Sequence, residues 1–146
     1  MDVAMSAAER EAFLAEPRIG VLAVRDSRGG RAPLQTPVWY DYRPGGEVAV
    51  ITGQASLKVR FIRESGRFTL CAQDPALPPR YVSVEGPVVA IHENIDSGVR
   101  EAMARRYLEP ADVEKYLEST RGIAMDYVVV RMRPEHWSTT DYGKLG

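Results

Sequence analysis

The chain has 146 residues and 45% hydrophobic content, enough to bury one core and too little for two comfortable ones, so a single domain over residues 1–146 is expected. Nineteen basic against twenty acidic residues leave a formal charge of −1, which excludes bulk attraction to nucleic acid or to an anionic membrane as the basis of function. One cysteine and two histidines exclude an internal disulfide framework and a multi-cysteine zinc site, and no metal centre is expected.

The N-terminal "MDVAMSAAEREAFLAE" carries acids where a signal peptide has a basic start and an apolar middle, and no apolar run approaches the roughly 18 residues of a membrane helix. A soluble, cytoplasmic protein is expected. Ser6 and Glu9 form a capping box for a short helix with Phe13 and Leu14 on its apolar edge, closed by Pro17. Two strands follow, Gly20 to Arg25 and Ala32 to Tyr42, joined through the Asp26–Gly30 turn cluster. "RPGGE" turns into an alternating strand, Val48 to Thr52, and Ser56 then opens a helix with Leu57, Phe61 and Ile62 inward. "RFTLCAQD" reads as a fourth strand and "RYVSVEGPVVAIHE" as a long fifth, bent or bulged at Gly86-Pro87. Asp96 caps a helix with Val99, Met103 and Tyr107 at helical spacing, a second short helix begins at Asp112, and a sixth strand runs from Met125 to Arg133. No element is assigned to "PEHWSTTDYGKLG". Six short strands joined mainly by hairpin turns predict a mainly β fold, an antiparallel barrel with peripheral helices, whose ligands sit at the rim or at a subunit contact because side chains fill a small barrel.

Chemistry concentrates in "TGQASLKVRFIRES", residues 52–65. If Ser56 caps the helix, its hydroxyl and the first free N–H groups share the end of the macrodipole that favours an anion, and Lys58 adds a full positive charge. Thr52 and Gly53 end the preceding strand with a hydroxyl and an unobstructed backbone that a phosphate can approach. Arg60 is a further candidate donor, although it lies roughly 200° round a regular helix from Lys58. The competing reading makes Lys58, Arg60 and Arg63 the solvated face of a surface helix, and spacing alone does not choose between the two.

The order of segments "EREAFLAEPRIGVLAV", "APLQTPVWYDY", "VAVITGQASLKVRFIRESGRFTLCAQD", "RYVSVEGPVVAI" and "MARRYL" resembles the FMN-binding split-barrel family of pyridoxamine 5'-phosphate oxidase, and is most similar to its branch of deazaflavin-dependent oxidoreductases, which use coenzyme F420. The resemblance spans nearly the whole chain. It implies a six-stranded antiparallel split β-barrel, a homodimer with cofactors between subunits, and hydride transfer between a reduced deazaflavin and a small conjugated substrate. It further implies that Gln35, Thr36, Pro37 and Val38 border the ring, that Thr52, Ser56 and Lys58 bind phosphate, and that Arg80 and Tyr81 approach from the partner chain. The chain departs from many relatives at Phe61-Ile62-Arg63 and Gly66-Arg67. FMN is the alternative cofactor, since both molecules present a tricyclic ring and a phosphate; the longer acidic tail of the deazaflavin requires further cations, for which Arg18, Arg25, Arg60 and Arg63 are candidates. A non-catalytic protein that binds flavin or haem is the other function class. No side chain is assigned as catalytic acid or base. Cys71 reads as a buried strand residue, His92 and His136 as strand-end residues, and Trp39 and Trp137 as core or interface anchors.

Overall fold

The alternation in 20–24 and 67–74 buries every second side chain, and those side chains, Leu22, Val24, Phe68, Leu70 and Ala72 among them, form one wall of the core. In the computed structural model, which describes residues 2–121 and 126–146, the elements in chain order are α1 (Ala7–Ala15), β1 (Gly20–Val24), β2 (Leu34–Val38), β3 (Tyr40–Asp41), β4 (Val48–Gly53), α2 (Leu57–Ser65), β5 (Arg67–Asp74), β6 (Arg80–His92), α3 (Ser97–Tyr107), α4 (Pro110–Arg121), β7 (Tyr127–Met132) and β8 (His136–Asp141), followed by a 3₁₀ turn (Tyr142–Leu145). All pairings are antiparallel, and the strands run in the order β2-β1-β5-β6-β7-β4-β3, with β8 on β6.

Two crossings split the barrel. The 13-residue β6 pairs with β5 and β8 over its first half and with β7 over its second, shifting register between Val88 and Ala90. The bend expected at Gly86-Pro87 is this passage, and Gly86 is required there: a Cβ would lie 1.8 Å from the carbonyl oxygen of Arg133. The second crossing corrects the expectation of one strand from Ala32 to Tyr42. β2 pairs with β1 and β3 with β4, so the chain changes sheets at Trp39, and the Tyr40 N–H is bonded by the Tyr107 hydroxyl (3.0 Å) instead of by a strand.

Eight strands therefore replace the expected six. Besides the break at Trp39, the tail left without an element forms β8 and pairs with Arg80–Glu85. Its sequence, "HWSTTD", lacks apolar alternation, so only the pairing reveals it. The sixth expected strand begins at Met125, which lies outside the described residues; its described part is β7. The helix expected from Asp112 starts at Pro110, a residue favoured in the first turn where its missing N–H has no partner to lose. The capping box of Ser6 and Glu9 and the caps by Ser56 and Asp96 are present, and Gly66 ends α2 in the left-handed region at φ 71°. Among the described residues no helix is long and apolar enough to cross a membrane.

Candidate functional site

The strand-to-helix turn from β4 to α2 is held by backbone bonds from Gln54 N–H to Asp126 C=O (2.7 Å) and from Ser56 N–H to Gly53 C=O (3.1 Å). Ser56 accepts from Val59 N–H at 3.3 Å, so the N–H groups of Leu57 and Lys58, which have no intrahelical acceptor, remain at the open end of the helix. Lys58 folds back over this end, where its Nζ donates to the Oγ1 of buried Thr52 at 3.0 Å. Burial lowers the pKa of its ammonium from the ordinary lysine value. A half-buried cation with one neutral partner retains donors for an anion.

Lys58 lines a cavity of about 310 Å³. Pro37 and Val38 of β2, Ile51 of β4 and Tyr127 of β7 form its sheet side, while Arg100 and Met103 of α3 and Tyr116 of α4 close it from the helices. Trp39, at the sheet crossing, forms another wall: its ring stacks on Tyr107 (5.0 Å, 5° between planes) and tilts against Tyr116 (5.0 Å). Arg100 donates to Thr120 Oγ1 at 2.7 Å and lies 4.3 Å over the Tyr127 ring. Among the described residues the lining holds two cations and no acid. Such a wall, aromatic and positive, suits a flat ligand that carries an anionic group.

Of the residues singled out from the sequence, Pro37, Val38 and Lys58 line this cavity, Thr52 anchors Lys58, and Gly53 and Ser56 form the adjoining turn. Gln35 lines a neighbouring 620 Å³ hollow on the outer face of β1, β2 and β5, which shares Ile19 with the first. Thr36 lines neither. Arg60 points to solvent and pairs with Glu64 (3.1 Å), while Arg80 pairs with Asp74 (2.8 Å) and Tyr81 is exposed; none of the three lines either cavity. Arg18 is bound to Glu16 at 2.7 Å and Arg63 to Glu93 at 2.9 Å, and Arg25 is exposed. Sequence reasoning missed Arg100, Tyr116 and the wall role of Trp39. It found Val99, Met103 and Tyr107 at helical spacing; Val99 is 36% exposed, and the residues of α3 that line this cavity, are buried or stack on its Trp39 wall are Arg100, Met103, Ala104 and Tyr107. One arginine among many gave no signal that it, and not Val99, belonged to that stripe.

A family model described as pyridoxamine 5'-phosphate oxidase matches residues 6–141. The chain belongs to the pyridoxamine 5'-phosphate oxidase family. Among solved structures it is similar to an F420 reductase, at 25% identity and TM-score 0.69, covering 88% of this chain and 94% of that one. It is also similar to a conserved hypothetical protein from Mycobacterium tuberculosis, at 25% identity and TM-score 0.73, over 99% of this chain and 90% of the other. An FAD-binding protein from Mesorhizobium loti, 18% identical with TM-score 0.60 over 92% and 94% of the two chains, shares the fold. No curated protein matches the chain. The split barrel expected from the family resemblance is thus present, with two more strands than expected.

Proposed function

We propose that this member of the family is an oxidoreductase that binds coenzyme F420 and transfers a hydride between the reduced deazaflavin and a small conjugated substrate. The observation that carries the reading is the pairing of half-buried Lys58, anchored on Thr52 at the open end of α2, with the Pro37–Val38 strand as a wall of the same cavity. The ring supplies the hydride chemistry when bound. The residues of this chain would bind and orient it: Lys58, Arg100 and the α2 N-terminus would hold the phosphate, and Trp39, Pro37, Ile19 and Gln35 would border the ring. The similarity to an F420 reductase supports the deazaflavin.

FMN is the second reading, favoured by one observation. Of the four cations expected to meet the longer acidic tail, Arg18, Arg60 and Arg63 are engaged by Glu16, Glu64 and Glu93, which leaves the single-phosphate cofactor better matched to Lys58 and Arg100. A protein that holds flavin or haem without turnover is the reading from the other function class. Titration of the purified protein with FMN and with the deazaflavin, followed by absorbance, separates the cofactors, and single-turnover oxidation of the reduced cofactor separates enzyme from carrier. Saturable binding of neither molecule sinks the proposal.

The cavity is at the small end of ligand sites and adjoins, at Ile19, the hollow on the outer face of β1, β2 and β5, so one chain does not enclose a tricyclic ring. Across that face Pro37, Val21, Cys71 and Ser83 lie side by side in register, an uncharged row that a second copy of the chain covers in the proposed homodimer. Light scattering at micromolar concentration tests this. A monomer refutes the shared cleft.

A further inference from the structure

A second cavity lies on the other side of α3. It measures about 710 Å³ and meets the first only at Ile51 and Met103, which line both. Its floor is the helix-covered face of β3, β4 and β7, where Ala49, Ile51 and Val129 are apolar and Arg131 sits directly opposite Ala49 in register. The opposite wall is Val99, Ala102 and Met103 of α3.

Placing a guanidinium on the covered face of a sheet has a desolvation cost unless something answers the charge. Arg131 is half-buried and has no ion-pair partner among the described residues. Arg106 lines the same cavity from α3; its Nε donates to the Tyr40 carbonyl at 2.9 Å, its Nη1 stands 3.7 Å from Asp41, and its buried Nη2 has no hydrogen-bond partner among the described residues. Arg43 stands exposed on the same lining, so three guanidiniums meet two carboxylates. Both acids are engaged, Asp41 toward Arg106 and Asp96 as the cap that accepts from Gly98 N–H at 2.8 Å. The Asp96 carboxylate already fills the anion position at the start of α3, so the unmet positive charge lies on the arginine wall.

We propose that this cavity is a second binding site, distinct from the Lys58 pocket, for a small organic acid with an apolar body whose carboxylate is received by Arg131 with Arg106 behind it. The volume fits within the range of small-molecule sites, roughly 300–1,000 Å³. A lining whose Ala49, Ile51, Val99, Ala102, Met103 and Val129 are apolar, and which also carries the guanidiniums of Arg131 and Arg106, matches a carboxylate on an aryl or alkyl body, because planar guanidinium donors pair with carboxylate oxygens two at a time. The inference does not depend on which cofactor the first cavity takes.

The test uses 4-phenylbutyrate and 4-phenylbutan-1-ol, equal in length and differing in charge, titrated calorimetrically into the full chain. One site for the acid is expected, with affinity reduced about 10- to 100-fold in Arg131→Gln, the range for losing a hydrogen bond to a charged group, and with the alcohol no tighter on the parent than the acid on the variant. Circular dichroism verifies that Arg131→Gln is folded. As a readout that needs no variant, the acid and not the alcohol shifts arginine side-chain Nε–H resonances of the parent. Equal binding of acid and alcohol, unchanged affinity in Arg131→Gln, or no binding overturns the proposal. So does binding that survives Arg131→Gln and disappears in Lys58→Ala, which places the acid in the other cavity.

Discussion

Replacing Lys58 with alanine tests the phosphate reading most directly. Nζ spends one donor on Thr52 and keeps two, and its stem is packed at the cavity wall, so an anion between Lys58 and the open end of α2 gains at least one charge-assisted hydrogen bond. Such a bond contributes about 1.5–3 kcal/mol, which makes the expected loss in cofactor affinity about one to two powers of ten for FMN or the deazaflavin. The cofactor-free protein is expected to melt close to the parent, because removing an ammonium that burial disfavours offsets the loss of its hydrogen bond to the buried Thr52 hydroxyl. Arg63→Ala is the control: its guanidinium is exposed and pairs with Glu93 on the surface, an interaction of at most about 1 kcal/mol. Fluorescence or absorbance titration of both variants decides the matter. If Lys58→Ala binds as tightly as Arg63→Ala and the parent, the segment is a solvated helix and the phosphate reading fails.

The lowered pKa of Lys58 implies a pH signature: its charge is lost as pH rises through a value below that of ordinary lysine, so cofactor affinity falls over that alkaline window in the parent and stays flat there in Lys58→Ala, measured by titration at a series of pH values. If the deazaflavin is the cofactor, its acidic tail makes affinity more salt-sensitive than that of FMN, since exposed charge contacts are screened within about 10 Å at 0.1 M ionic strength; equal salt slopes count against a tail-binding groove. Gly86→Ala is expected to destabilise by about 3 kcal/mol or more in chemical denaturation, because the added carbon meets the Arg133 carbonyl at 1.8 Å and backbone must shift. Tyr107→Phe keeps the stack on Trp39 and removes the acceptor of the Tyr40 N–H, a loss of about 1–3 kcal/mol read as a lower denaturation midpoint.

Local patterns were legible because they need only neighbours in the chain. The caps at Ser6, Ser56 and Asp96 and the alternation of β1 and β5 follow from hydrogen-bond geometry and period-2 burial, and each is where the sequence places it. The turn that brings Thr52, Ser56 and Lys58 together is equally local, spanning seven positions. What the tertiary structure alone decides is long-range. β8 is a strand because β6 offers it an edge, since its own residues show no apolar alternation. Trp39 breaks a continuous extended run because β1 and β4 belong to different sheets, and the strand must leave one to join the other. The Lys58 cavity draws its walls from positions 39, 58, 100, 116 and 127, and whether Arg100 or Val99 faces it depends on how α3 lies against the sheet, a rotation that a single charged residue in an arginine-rich helix does not specify. Sequence determines the helix caps, the alternating strands and where a helix end can hold an anion; packing determines that the tail becomes a strand on β6, which cations are spent on neighbouring acids and which are left facing a cavity.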